Sequence, residues 1–557
     1  LNNINIIITG LTATAAATPI QFLGAVTAST ISLQSSTFST SSVALDFPPT
    51  MSNTGVTMSN IDATSTGAAA LKLKSVSGGT ITIGTGSSFT GATEGIWADG
   101  FAGATLAVSA IPVAGGSGSG ILAESFSGAS VLSLTNNVVA TSTSGHGIEV
   151  RSWTAGGTAT IRDSSATGGN SGLVLSGLAD ATVVVDTVTA DGASGHGVSL
   201  ASISASSTVA FTKVDATNTG GRGLSASAVS NTAVTIGGTS TITGATIGLH
   251  ATGFASSSLT VSFTTVSGGS AQGLASMSFD GSSSLTVSDS TAGSTSAQGV
   301  LVQTWTAAGG TASFTDCVVN SAGHGFHFEA LTGTAVTMTN VATTATGGSG
   351  FGIYILAVSS GTAFTLSNVN AASTSSKGMH VSTLSGSSIA IGGTSTFVGG
   401  SLGLQATAFT SSTLAVSFTT MTGGSGHGLL AEGFDGSSAL TVSDATMSST
   451  SSGAVLVQNW VASGGTASFT DCTATGGGSH AVEMSALTGT TAALTNVVAS
   501  ATGASGSGVK LITASATTSF TLTNVDATSA GGNGFEASAI TGSSIAIAGT
   551  STLTGAT

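Results

Sequence analysis

The sequence predicts an all-β protein whose chain winds as a solenoid of parallel strands, with about 26 residues in each turn. Three observations predict this fold: the composition, a short repeat and a longer repeat. Only 8 Lys and Arg and 22 Asp and Glu occur in 557 residues, beside 81 Gly. Such low charge is atypical of a globular enzyme, but the 40% hydrophobic content argues against disorder.

The short repeat begins with a marker glycine followed by an alternating apolar segment, as in Gly95-Ile96-Trp97-Ala98. It recurs up to Gly534, with Ala481 replacing glycine once. Each repeat also contains a Ser/Thr-rich alternating segment such as Leu285 to Asp289. Period-two alternation predicts strands, and no segment keeps helical spacing. A strand that recurs at this interval pairs with its equivalent in the next turn, which makes the strands parallel.

A column of large apolar residues lies six residues after the marker glycine, and Trp460 joins it only with a one-residue slip. We predict an internal ladder of stacked side chains rather than an outer surface that stacks sugars, because the column also holds Leu, Val and Ala. Its aromatic members are Phe101, Phe126, Trp153, Phe254, Phe279, Trp305, Phe409, Phe434 and Trp460.

The order Phe-Phe-Trp-Leu-aliphatic-aliphatic occurs three times in this column, which predicts a six-turn super-repeat of about 155 residues. We predict one continuous domain over residues 1–557. Its blocks would be 1–82 (partial), 83–235, 236–390, 391–546 and 547–557, the last being the start of a further block.

A second column of Asp and Asn residues follows the Ser/Thr-rich strand. Because Asn and Asp tolerate left-handed bends and bond neighbouring backbone, the column predicts a stacked ladder at a bend of each turn. A row of Ca²⁺ ligands is the alternative, but Asn residues interrupt the carboxylates. The members are Asp163, Asp289, Asp316, Asn340, Asn368, Asp444, Asp471, Asn496 and Asn524.

From about Gly67 to Thr557, these glycine turns, inward stacks and Asn/Asp ladder resemble a right-handed parallel β-helix. This is the fold of pectate-lyase-like proteins and of many secreted adhesin passenger domains. The irregular turn lengths favour the right-handed form over left-handed hexapeptide helices. The resemblance implies a location outside the cell or on its surface.

Catalysis on carbohydrates would need paired carboxylates, or an Asp cluster for Ca²⁺ with a cation nearby. The eight cations are scattered, and alternation points the adjacent Arg162 and Asp163 to opposite faces. We therefore predict no catalytic residue, no cofactor and no metal. The net charge of −14 disfavours nucleic acid and anionic membranes as partners, and no apolar run predicts membrane insertion in this segment.

Two groups of histidines stand out. His146, His196, His324 and His427 each lie in a Gly-His-Gly turn and His480 lies in a variant of it, and we expect these side chains to point into solvent. Two residues after the marker glycine, three successive turns carry His327, Tyr354 and His380, with Glu329 nearby. These four residues form a candidate patch for a small ligand or metal, and a merely solvated face is the alternative.

Hydroxyl side chains flank an inward apolar residue on the Ser/Thr-rich strands, in an arrangement that resembles the Thr-x-Thr arrays of ice-binding solenoids. Ala390 and Gly392 interrupt the array. An uncharged, protease-resistant surface that carries O-linked sugars is the alternative. The segments are Thr286 to Ser288, Ser313 to Thr315, Thr337 to Thr339, Thr365 to Ser367, Thr441 to Ser443, Ser468 to Thr470 and Thr521 to Thr523.

Together these features predict an extracellular structural protein, the shaft of a surface fibre, appendage or giant adhesin. Its partners would be other copies of itself, end to end or side by side, or further repeats of the same chain, since no capping repeat is visible after Ser551. Glycans are a further candidate partner. An ice- or surface-binding solenoid is the alternative function, and a glycan-active enzyme ranks below it.

Overall fold

The computed structural model describes residues 1–280, 282–306, 309–461 and 464–556. It is an all-β parallel solenoid of about 21 turns with roughly 26 residues per turn, and the described residues form no helix. Accordingly, the described part of the chain has no helix that could cross a membrane. The chain forms two compact units, Leu1–Ser270 and Ala271–Thr557, which are described separately. Thr557, the last residue of the predicted final block, lies outside the described residues.

In the second unit each complete turn contributes three strands, and each strand pairs with the equivalent strand of the neighbouring turn. We call the three resulting stacks faces 1, 2 and 3. The face-1 strands, which follow the marker position, are Leu274–Asp280, Val300–Thr306, Phe326–Thr332, Ile353–Ser359, Met379–Ser385, Leu404–Thr410, Leu429–Asp435, Val455–Val461, Val482–Thr488, Val509–Ser515 and Phe535–Ile540.

The other two faces of the second unit are built from shorter strands. Face 2 contains Ser284–Ser288, Thr311–Thr315, Ala335–Thr339, Ala363–Ser367, Ser388–Gly392, Thr413–Ser417, Ala439–Ser443, Thr466–Thr470, Thr491–Thr495, Ser519–Thr523 and Ser544–Ala548. Face 3 contains Thr291–Ser294, Val318–Ser321, Ala342–Ala345, Asn370–Ser373, Thr396–Gly399, Thr420–Gly423, Thr446–Ser449, Thr473–Gly476, Val498–Ala501, Asp526–Ser529 and Thr552–Thr554.

The first unit follows the same plan, but several of its strands continue from one face to the next. Leu71–Ile83, for example, supplies face 1 and face 2 of one turn. In chain order the strands are Asn5–Thr9, Thr12–Ala15, Ile20–Gln21, Val26–Thr27, Thr30–Thr40, Leu45–Asp46, Met51–Ser65, Leu71–Ile83, Ser88–Gly91, Ile96–Ser109, Pro112–Gly115, Ile121–Glu124, Ser130–Thr135, Val139–Ser142, Ile148–Trp153, Gly157–Gly168, Leu173–Ala179, Thr182–Gly192, His196–Ser204, Thr208–Asn218, Arg222–Ser230, Ala233–Gly237, Thr241–Gly244, Leu249–Ala255, Ser258–Ser262 and Thr265–Gly268.

The aromatic ladder lies in the core, as predicted. In the first unit the ring of Phe126 stacks 4.7 Å from Phe101 and lies 4.7 Å from Trp153. In the second unit Phe434 lies 4.5 Å from both Phe409 and Trp460, and Phe279 lies 4.8 Å from Trp305. These rings, like that of Phe254, are at most 1% exposed, so no sugar can stack on them.

The one-residue slip assigned to Trp460 belongs instead to the marker. The backbone N–H of Leu404 donates to the carbonyl of Gly428, and in the next turn the N–H of Leu429 donates to that of Ala454, not Gly453. Ala454 therefore occupies the marker position, and Trp460 lies six residues after it without any shift. Alanine fits there with its side chain fully buried.

Every member of the predicted Asp/Asn column has a positive φ, between 48° for Asp163 and 55° for Asn368. The side chains also bond from turn to turn, since Asn340 Nδ2 donates to Asp316 Oδ1 and Asn368 Nδ2 donates to Asn340 Oδ1, both at 3.0 Å. The left-handed bend and the ladder are thus confirmed. The right-handed winding, the six-turn super-repeat and the single continuous domain stay predictions.

Candidate functional site

Charged and aromatic side chains on the surface concentrate on face 1, whereas the outward positions of faces 2 and 3 hold mainly Ser, Thr, Ala and Gly. The column two residues after the marker shows this most clearly, because its register is fixed by strand pairing in each unit. It carries Asp46, Lys72, Trp97 and Glu149 in the first unit, and His327, Tyr354, His380, Gln405, Glu483, Lys510 and Glu536 in the second.

The structure brings His327, Tyr354 and His380 together as predicted. The rings of His327 and Tyr354 stack at 4.9 Å with an interplanar angle of 19°, and those of Tyr354 and His380 stack at 5.1 Å and 14°. Both faces of the Tyr354 ring are therefore covered. What the stack presents to solvent is ring edges, so it is not a flat platform for a sugar.

A second column, one residue before the marker, packs against this stack and was missed from the sequence. His324 lies 4.7 Å from Phe351 and 5.1 Å from Tyr354, measured between ring centroids. Lys377 Nζ lies 4.9 Å from the centre of the Phe351 ring and 3.4 Å from His380 Nδ1. We call the six residues of these two columns the aromatic patch: His324, His327, Phe351, Tyr354, Lys377 and His380.

Glu329 lies at the border of the patch and is held from the preceding turn. Its carboxylate accepts a hydrogen bond of 2.8 Å from Gln303 Nε2 and lies 4.0 Å from His327 Nε2. The His327 side chain is only 11% exposed, and neither of its ring nitrogens has a hydrogen-bond partner in the described part of the chain. Glu329 therefore contributes a nearby negative charge rather than a direct contact to the stack.

The histidines of the patch are neutral at physiological pH. Burial lowers the pKa of His324, His327 and His380 to about 4, and the charge of Lys377 contributes at His380. Burial also lowers the pKa of Lys377 and raises that of the Tyr354 hydroxyl. The patch thus carries little positive charge for a surface with three histidines and a lysine.

Stacked imidazoles point their nitrogens in parallel, whereas a metal requires ligands that converge on one point. Among the described residues, no three His, Cys, Asp or Glu side chains lie close enough to hold a metal ion. The geometry of the patch therefore favours hydrogen bonding at ring edges over metal binding. Its role as a ligand site stays a prediction.

The solvated orientation expected for the Gly-His-Gly histidines is wrong. His146, His196, His324, His427 and His480 are each partly buried, and burial lowers the pKa of all five. The residue before the marker lies at the end of a connector, where its side chain folds along the solenoid onto the next turn.

Three of these rings bond to the backbone of the following turn, and His427 Nδ1 does so with the carbonyl of Gly453 at 2.9 Å. His324 Nδ1 accepts a hydrogen bond from the N–H of Phe351 at 3.0 Å, and His480 Nδ1 accepts one from Ser507 at 2.8 Å. A ring nitrogen can accept only when it carries no proton, so the bonds of His324 and His480 require neutral histidines.

A network of ion pairs covers face 1 of the first unit. Arg151 Nη2 lies 2.6 Å from Glu124 and Arg151 Nη1 lies 3.1 Å from Glu149, while Trp97 Nε1 donates to Glu124 at 2.7 Å. One arginine thus binds two carboxylates from different turns. Arg162, which the sequence places beside Asp163, pairs instead with Asp186 of the next turn at 3.1 Å.

The predicted hydroxyl columns of face 2 are in register, but Ala390, Ala415 and Ala493 interrupt them. Face 3 carries a more regular array, which was not predicted from the sequence. Its strands from Thr396 to Gly476 each begin with a threonine, and their third residues are Val398, Thr422, Ser448 and Thr475. In the sequence, the signal is a Thr two residues after Phe418, Asp444 and Asp471.

Comparison with models of known protein families and with curated proteins gives no match for this chain.

Proposed function

We propose that the chain is an extracellular structural protein, the shaft of a surface fibre, appendage or adhesin. The observation that carries this proposal is the unbroken pairing of strands from turn to turn within each unit. In the second unit, face 2 pairs in this way from Ser284 to Ala548. Backbone hydrogen bonds between turns of a solenoid run along its axis, so a stretched turn is held to its neighbours by all three strands.

The composition of the surface supports the same role. Charged residues make up 5% of the chain, and faces 2 and 3 expose mainly small hydroxyl and methyl groups. Such a surface offers few sites to proteases and little electrostatic attraction for nucleic acid or membranes. We propose a non-enzymatic role, because the acids Glu124 and Glu149 of face 1 are both bound by Arg151.

Exposed aliphatic side chains on face 3 support lateral contact between copies as the mode of assembly. Val318, Val398 and Val498 are 43%, 44% and 46% exposed. In the neighbouring turns the equivalent residues are smaller or polar: Thr291 and Ala342 beside Val318, Ala372 and Thr422 beside Val398, and Thr473 and Asp526 beside Val498. Single exposed apolar residues are common, but their recurrence on one face favours a partner that packs along it.

Immunogold electron microscopy of the intact source cells, with an antibody raised against the second unit, tests the proposal. We expect gold particles along fibres outside the cell. Labelling confined to the cell interior would refute an extracellular shaft.

The threonine array of face 3 favours a second candidate, an ice- or surface-binding solenoid. Exposed hydroxyls at Thr420, Thr446 and Thr473 repeat at the strand spacing of about 4.8 Å. Thermal hysteresis of the purified chain tests it, with Thr446→Tyr expected to abolish the effect. Thr441→Tyr on face 2 is the matched control and should leave it intact, and no hysteresis in the unmodified chain would exclude this function.

A further inference from the structure

A cavity of about 320 Å³ opens beside face 1 in the first turns of the first unit. The face-1 strands of these turns are short, Ile20–Gln21 and Leu45–Asp46, whereas the strand of the next turn runs on from Leu71. Pro48 and Pro49 follow closely after Asp46, and proline has no N–H to continue a ladder. Residues 23–25 and 48–50 therefore form no strand, and the cavity lies beside them.

One wall of this cavity is apolar. The rings of Phe22 and Phe47 stack with their centroids 5.4 Å apart, and Pro49 and Leu23 extend the wall. Leu23 is 86% exposed, although it is a large aliphatic side chain. Phe47 is only 2% exposed, so the open part of the wall is formed by Phe22, Leu23 and Pro49.

The opposite side carries two ammonium groups. Lys72 and Lys74 lie two residues apart on one strand, so both side chains point outward from the same face. Their Nζ atoms lie 4.9 Å and 4.6 Å from the centre of the Trp97 ring, which fixes both above one indole. We call this space, between the lysines and the apolar wall, the lysine cavity.

These two charges are partly compensated, because the carboxylates of Asp46 and Glu94 lie near Lys72. Within the described residues neither lysine forms an ion pair, whereas Arg151, Arg162 and Lys510 each do. Asp46, the carboxylate that lines the cavity, accepts a hydrogen bond from Gln21 at 3.3 Å. Burial and the neighbouring charge of Lys74 lower the pKa of Lys72, and the carboxylates of Asp46 and Glu94 act in the opposite direction.

We propose that the lysine cavity binds a small organic carboxylate with a flat apolar body. The carboxylate bridges the ammonium groups of Lys72 and Lys74, and the body packs against Phe22 and Pro49. The volume suits a ligand of this size, and an apolar wall with a few convergent polar groups is the usual composition of a small-molecule site. This site is independent of the mechanical role proposed above, because it requires only that the first unit be folded.

Isothermal titration of the whole chain with 2-naphthoate tests the proposal, with 2-naphthamide and acetate as comparison ligands. We expect 2-naphthoate to bind at least tenfold more tightly than either, because only it has both the charge and the apolar body. Trp153, Trp305 and Trp460 are at most 1% exposed, so a change in tryptophan fluorescence on binding would report Trp97.

Two variants probe the two sides of the cavity. The double variant Lys72→Gln, Lys74→Gln should weaken 2-naphthoate at least tenfold, and Lys213→Gln, an exposed cation elsewhere in the unit, should not. Leu23→Asp places a carboxylate on the apolar wall at an exposed position and should weaken binding to a similar extent. Circular dichroism establishes that each variant is folded. No binding of 2-naphthoate, equal binding of the amide, or unchanged binding in the double variant would overturn the proposal.

Discussion

The aromatic patch makes the stability of the second unit depend on pH. His324, His327 and His380 have pKa values of about 4 in the folded chain, below the ordinary value of 6.5 that applies when it unfolds. The unfolded chain therefore binds more protons between these two values. The stabilisation is complete above pH 6.5 and is lost as the pH falls from 6.5 through 4.

A fall in pKa from 6.5 to about 4 corresponds to about 3 kcal/mol for each histidine, because one pKa unit is about 1.4 kcal/mol. The contributions of the three rings are not additive, because the rings lie close together. Water also screens their outer edges, which lowers the contribution of each ring. We therefore expect the patch as a whole to lose about 3 to 6 kcal/mol between pH 7.5 and pH 4.

The other turns of the protein suggest the substitutions that remove this effect without disturbing packing. Gln298 occupies the column of His324, Leu301 that of His327 and Gln405 that of His380. The triple variant His324→Gln, His327→Leu, His380→Gln should therefore fold, with a smaller loss of stability on acidification than the unmodified chain. The difference between the two chains isolates the patch from all other titrating groups.

Urea unfolding at pH 7.5, 5.5 and 4 measures the difference, and hydrogen exchange of peptides from residues 324–380 locates it. Tyr354→Phe is the matched control, because it keeps the stack and removes no group that titrates in this range. If the triple variant lost as much stability on acidification as the unmodified chain, the burial of these histidines would not be the cause.

Three pairs of substitutions test the core, the bend and the marker by urea unfolding. Phe434→Ala should cost about 3 to 5 kcal/mol because the ring is buried between two others, whereas Phe434→Leu should cost about 1 kcal/mol; equal costs would contradict the ladder. Asn340→Ala should cost about 1 kcal/mol and Asn340→Gly less, since glycine keeps the left-handed bend; the reverse order would count against strain at this φ. Gly147→Ala places a Cβ 2.5 Å from the backbone nitrogen of Thr167 and should cost about 1 to 3 kcal/mol, whereas Gly348→Ala, with nothing within 4 Å, is expected to change stability little.

The sequence was sufficient to predict the features that depend on periodicity. The aromatic ladder and the left-handed Asp/Asn column follow from residue types that recur at a constant offset from the marker, because equivalent positions of a solenoid have equivalent surroundings. The stack of His327, Tyr354 and His380 was predicted for the same reason. It needed only the register of three successive turns.

What the sequence did not reveal depends on geometry outside the strands. His324 was expected in solvent because a Gly-His-Gly segment is typical of a turn, and alternation does not indicate where the side chain of a connector residue lies. The lysine cavity arises where Pro48 and Pro49 interrupt a strand. The sequence indicates the interruption, but it does not indicate that a cavity forms there. Ala454 was missed because Gly453, beside it, matches the marker pattern.

The variable length of the connectors between face 3 and face 1 bears on how such a chain can evolve. Connectors between face 3 and face 1 vary from four residues (400–403) to seven (346–352), yet the strands on either side stay paired. Length differences are therefore absorbed locally and do not accumulate along the chain. Unequal recombination between equivalent connectors would add or delete a whole turn while the remaining turns keep their partners, so a gene of this kind can change the length of its product in steps of one turn.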